Sequence, residues 1–100
     1  MERTLEPRGV MTMASPRWTV EIDFDEDDTH THAIARATVR GDNALVASGD
    51  AYRNPRDQSR PLIGEEIAAA RALIALSTEL LQSAASQIER ETHHPVHLVR

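Results

Sequence analysis

Trp18-Thr19-Val20-Glu21-Ile22-Asp23-Phe24 alternates without a break, with Trp18, Val20, Ile22 and Phe24 on one side and Thr19, Glu21 and Asp23 on the other. Successive side chains of a strand point to opposite faces, so this period of two marks a half-buried β-strand. The acidic run Asp25-Glu26-Asp27-Asp28 ends it in a turn. His32 to Arg40 reads as a second strand, with Ile34, Arg36, Thr38 and Arg40 on one face and Ala33, Ala35, Ala37 and Val39 on the other. The small-residue face is expected to lie beneath a helix. Gly41-Asp42-Asn43 supplies the chemistry of a tight hairpin turn. Ala44 to Tyr52 is then a third strand, in which Gly49 is a candidate bulge.

Beyond a polar loop the period changes. Ile63, Ile67, Ala70, Ile74, Ser77, Leu81, Ala84 and Ile88 recur at helical steps, and Leu73, Leu76 and Leu80 widen that stripe. Gly64 is the expected N-cap, followed by Glu65 and Glu66 where a helix dipole favours negative charge. Pro95 disfavours helical geometry at His94, which ends the helix near Thr92 or His93. Val96 to Val99 is expected to be a short extended segment. The pattern is β-β-β-α: an α+β fold with a three-stranded antiparallel sheet followed by one long helix. Trp18, Val20, Ile22 and Phe24 are expected to face the helix stripe.

A helix from Glu65 to Thr92 is about 40 Å long, whereas strands of this length span only about 23–30 Å. Ile67 to Leu76 is apolar on every side except at Arg71, and such a helix wants two partners. The sheet is one and a second protomer the other, so a homodimer is expected. Ile67, Ala68, Ala72, Leu73, Ile74 and Ala75 are the candidate core or dimer-face residues. Residues 1–16 lack periodicity and contain Pro7, Gly9 and Pro16, which predicts a disordered tail before a single domain over 17–100. Met11 and Met13, as well as Met1, are candidate translation starts.

The chain has 100 residues, room for one domain with a modest core. Aromatic residues are confined to Trp18, Phe24 and Tyr52, and much of the 40% apolar content is alanine. With no cysteine there is no disulfide framework and no thiolate chemistry. No segment approaches a membrane span, and the N-terminal stretch has no apolar core of a signal peptide, so a cytoplasmic protein is expected. The net charge of −5 argues against a generic polyanion binder. All eleven basic residues are arginine, a composition attributable to a GC-rich genome.

Motifs for chemistry are sparse. His93 and His97 have a four-residue spacing, but Pro95 breaks the helix that would align them. His30, His32, His93, His94 and His97 therefore read as solvated, with no metal and no cofactor expected. Asp23 to Asp28 lacks the glycine and glutamate of a calcium loop and reads as a solvated turn. No nucleophile elbow and no glycine-rich phosphate loop occurs, so no enzyme is expected. Arg36, Arg40, Arg53, Arg56 and Arg60 are the candidate phosphate or RNA contacts if they converge. The alternative is a solvated face with local ion pairs to Asp42, Asp50 and Asp57.

From Trp18 onward the chain resembles an actinobacterial family of short proteins of unknown function with a double-stranded-RNA-binding-domain-like (dsRBD-like) fold. Trp18-Thr19-Val20, Asn54-Pro55, Ile63-Gly64-Glu65-Glu66, Ala69-Ala70-Arg71-Ala72-Leu73 and Thr92-His93 with Pro95 carry the resemblance. It implies a dimer with a dormancy or low-oxygen stress role, similar in shape to ribosome hibernation promoting factors. It brings no catalytic or binding residues with it. The chain departs from both comparison folds in charge, since Gly64-Glu65-Glu66 stands where dsRNA-binding domains place lysines. Two functions remain open beside an undescribed enzyme. One is a non-enzymatic, stress-associated dimer contacting the ribosome or structured RNA. The other is a protein-partner module using the acidic turn and the open sheet face.

Overall fold

The computed structural model describes residues 15–40 and 43–98. Strands β1 (Thr19–Glu26), β2 (His30–Arg40) and β3 (Asn43–Tyr52) form an antiparallel sheet in the order β1-β2-β3, followed by helix α1 (Pro61–Thr92). The expected β-β-β-α architecture is the observed one. β1 and β3 are the two sheet edges. The predicted tail up to Ala14 and the turn residues Gly41 and Asp42 lie outside the described residues.

Boundaries differ where local chemistry competes with pattern. β1 runs on to Glu26 and β2 starts at His30, because Asp27 makes the turn alone: its Oδ1 accepts from the amides of Thr29 and His30, each at 2.9 Å. Helix α1 begins one turn before the expected start, with Arg60 at the N-cap and Pro61 in the first turn. Proline suits that position, since its missing N–H would have no helical partner there. Gly64 is thus inside the helix, and no acidic residue lies in the first turn. The helix ends at Thr92 as expected: His93 adopts a left-handed conformation (φ 62°) and its amide donates to Glu89 O at 2.7 Å. Residues 95–98 form no strand, although the Val96 amide donates to Glu89 Oε2.

Gly49 is not a bulge. It pairs regularly with Ala33, and the register irregularity lies instead between Thr38 and Arg40. The glycine is needed because a Cβ there would stand 2.4 Å from Ala72 N and 2.6 Å from Ala68 O. The helix backbone therefore rests directly on β3. The small face of β2 lies beneath it as expected, with Ala33, Ala35 and Ala37 buried.

The helix stripe matches the predicted one only in part: Leu76 is buried as that stripe requires, but its neighbours in the core are small residues. Ala68, Ala72 and Leu76 are the buried helix residues, while Ile63, Ile67, Leu73 and Ile74 are exposed. Gly49 and the β2 alanines admit the helix so closely that only small side chains fit between at Ala68 and Ala72, with Leu76 packing one turn further along. The candidate set thus divides, with Ala68 and Ala72 in the core, Ala75 half-buried, and Ile67, Leu73 and Ile74 outward. Helix α1 lies mainly over β3 and β2. Val20, Ile22 and Phe24 do share the helix side of the sheet, but β1 lies beyond the helix, leaving Phe24 41% and the preceding Trp18 51% exposed. No large side chain among the described residues is fully buried.

Candidate functional site

The sheet face away from the helix carries the polar chemistry. Register places Glu21, Asp23 and Asp25 of β1 beside Arg36, Ile34 and His32 of β2, and Val46, Ser48 and Asp50 of β3 on their other side. His30 and His32, two apart on β2, project to this same face. Asp50 stands directly opposite His32, and Tyr52 opposite His30.

These four residues form one cluster. Asp50 Oδ1 accepts from His30 Nε2 and from His32 Nδ1, each at 2.7 Å. The His30 ring stacks on Tyr52 with centroids 4.5 Å apart and planes 5° from parallel. Hydrogen bonds from His32 and then His30 hold the Asp50 carboxyl below its ordinary range. Side chains of His30, His32 and Asp50 remain 34%, 35% and 38% exposed, so the cluster is open to solutes. His30 and His32 are therefore not simply solvated surface groups. The sequence reading began β2 at His32 and so left His30 in a turn, where the His-x-His spacing has no meaning. Starting the strand two residues earlier would have placed both rings on one face.

The turn preceding β2 is also organised. Amides of Thr29 and His30 bonding to Asp27 lower its carboxyl below the usual value. Across the sheet end, Thr31 Oγ1 donates to Glu26 Oε1 at 3.2 Å. Glu26 and Glu65 meet where the helix passes β1, and their shared hydrogen bond, with burial and charge repulsion behind it, raises the Glu65 carboxyl.

Among the candidate phosphate contacts, Arg53, Arg56 and Arg60 share one loop and Arg36 stands apart from them. Arg36 sits mid-sheet opposite Val46, with Glu21 on its other side. Arg53 follows seven residues after Val46, about 23 Å on at 3.3 Å per residue. Its guanidinium ties its own loop to the β1–β2 turn, donating to the carbonyls of Asp28 (2.8 Å), Asn54 and Asp57. Arg60 donates to Gln58, and Arg56 is exposed in the same loop. Arg40 pairs with Asn43 beyond the register irregularity that follows Thr38.

On the other side, apolar surface stands uncovered. Trp18, Val20 and Phe24 flank the helix, whose Leu73, Ile74 and Ile88 are exposed in turn. A groove of about 710 Å³ opens between the sheet and the last helical turns, lined by Trp18, Val39, Leu45, Leu80, Ala84 and Ile88 among others. Among the described residues no helix is long and apolar enough to cross a membrane.

Comparison with known proteins gives a family without an assigned activity. Uncharacterised proteins Mb1767 of Mycobacterium bovis and MT1780 of Mycobacterium tuberculosis are each 42% identical over 82 residues, covering 82% of this chain and 86% of the relative. The uncharacterised protein Rv2632c of Mycobacterium tuberculosis is 38% identical over 77 residues, 77% of this chain and 82% of its own. The crystal structure of Rv2632c superposes with a TM-score of 0.72 at 32% identity, covering 83% of this chain and 98% of that one. The family model described as Rv2632c-like matches residues 16–97, and the chain belongs to that Rv2632c-like family.

Proposed function

We propose that the chain is a non-enzymatic, cytoplasmic binding module. It would pair with a second copy through its helix and β1 side and present its open sheet face to a macromolecular partner. The observation that supports this reading is the placement of bulk. Six alanines and Leu76 make up the buried core, while Trp18, Val20, Phe24, Ile67, Leu73 and Ile74 stand in solvent. Burying those side chains is worth about 25 cal/mol per Å², and a core of alanines leaves a chain of this size marginal without it. Leu62, Ile63, Ile67, Leu73 and Ile74 line roughly 20 Å of the helix, and the adjoining β1 row extends this strip toward the roughly 800 Å² per partner of a stable interface. A second copy brings the same apolar strip in return.

The stress or dormancy role implied by the resemblance suits such a module, with the ribosome or another protein as partner. Glu21, Asp23, Asp25 and Asp50 outnumber Arg36 on the open face, and Arg53 is engaged by backbone carbonyls of its own loop and of the β1–β2 turn. Acidic groups repel phosphate backbones and attract basic protein surfaces, which favours a protein surface over RNA. Sedimentation analysis of the full chain tests the assembly: a dimer is expected, and Leu73→Asp with Ile74→Asp should yield a folded monomer. A wild-type chain that stays monomeric at all concentrations would remove the basis of the proposal. Cosedimentation with ribosomes at low salt, beside affinity capture from starved cells, tests the partner. Retention on ribosomal RNA stripped of protein would reverse the preference for a protein surface.

A further inference from the structure

We infer that His30, His32 and Asp50 form a binding site for a divalent transition-metal ion of the zinc class. Three features carry this. First, the donor atoms already converge: Asp50 Oδ1 lies 2.7 Å from both His30 Nε2 and His32 Nδ1, and the three ligand atoms lie within 4.8 Å of one another. Ligands at the roughly 2.0–2.2 Å bond lengths of zinc sit a little over 3 Å apart in a tetrahedron, so a small outward rotation of the rings admits an ion. Second, all three come from paired positions in β2 and β3, whose ladder holds the backbone. The stacked Tyr52 fixes the His30 ring further. Third, Asp25 pairs with His32 from the β1 side and shares the face, adding negative charge beside the donors.

Two imidazoles and one carboxylate supply three ligands and leave a fourth position for water or for a donor from a partner. Nitrogen donors select zinc, nickel or copper over magnesium and calcium, which take oxygen ligands. Binding requires the nitrogens that face Asp50 to be bare, so each neutral ring carries its proton on the other nitrogen when the ion is held. The ion would join β2 to β3 and stiffen the open face.

The test is titration of the untagged full-length chain with zinc chloride, followed by calorimetry and by circular dichroism melting. One ion per chain is expected, with a raised melting temperature. His32→Gln and Asp50→Asn should each weaken binding roughly tenfold or more, since even changes to residues behind a ligand cost about 10–100-fold. Both variants should keep their dichroism spectrum, because the groups are partly exposed. His93→Gln combined with His97→Gln should bind as wild type. Imidazole nitrogen shifts of His30 and His32 should move on zinc addition and not on magnesium addition. The inference fails if zinc does not bind below about 1 mM, if the His93/His97 variant is the one that loses binding, or if magnesium binds equally well.

Discussion

At single positions, two contacts decide how closely the helix approaches the sheet. Gly49 leaves no room for a methyl group, because the obstacle is helix backbone at 2.4 and 2.6 Å. Gly49→Ala should therefore lift the helix, costing about 2–3 kcal/mol and lowering the melting temperature by about 10–20 °C. Gly64→Ala should cost less: its Cβ would meet the Thr31 hydroxyl at 2.9 Å, a side-chain atom rather than backbone. The Glu26–Glu65 contact sets a pH dependence. Glu65 is raised, so its contribution to stability is complete below its unfolded value near 4.5 and is lost as pH rises through the folded one. Asp27 and Asp50 are lowered, so theirs is present above 3.8 and lost as pH falls through their folded values. Stability should peak between these limits, on the acid side of neutral. Glu65→Gln should abolish the decline towards neutral pH, which urea midpoints measured from pH 4 to pH 8 would show.

At the level of elements, α1 carries two stripes with opposite fates. Bulk marks the outward one, and smallness marks the one that packs. Ile74→Asp, on a side chain 55% exposed, should leave the helix and sheet intact while abolishing self-association. Ala72→Leu should do the reverse, forcing a large side chain between helix and Gly49 and unfolding much of the chain. Dichroism with sedimentation separates the two outcomes. The same contrast explains what sequence could disclose. Alternation in Trp18–Phe24 and in Ala33–Val39 announced the strands, and Pro95 announced the helix end. Periodicity scores hydrophobic bulk, so it chose Ile67 and Ile74 over Ala68 and Ala72 as the packing face, and no pattern marks a glycine beneath a helix. The histidine cluster was hidden by register. A regular ladder continued from the Arg40–Asn43 pair would set His32 opposite Ala51. The irregularity at Val39 moves Asp50 there instead and, with it, onto the histidines' face.

For the molecule as a whole, a core made of alanines ties stability to assembly. If a second copy covers the helix and β1, unfolding draws on the monomer–dimer equilibrium, and the melting temperature should rise with protein concentration. Scans across a hundredfold dilution would check this, and a constant melting temperature would mean that each chain is stable alone. The free edge of β1 bears on a different matter. Among the described residues no strand lies beside its outer N–H and C=O groups, which makes it a template for indefinite stacking into fibrils. Yet any in-register addition of another β1 would set Glu21, Asp23 and Asp25 against their own copies, and like charges directly opposite destabilise a strand pair. The acidic row thus acts as a gatekeeper against aggregation, blocking growth at the edge. Neutralising it as Glu21→Gln, Asp23→Asn and Asp25→Asn should shorten the lag before thioflavin-positive aggregates form.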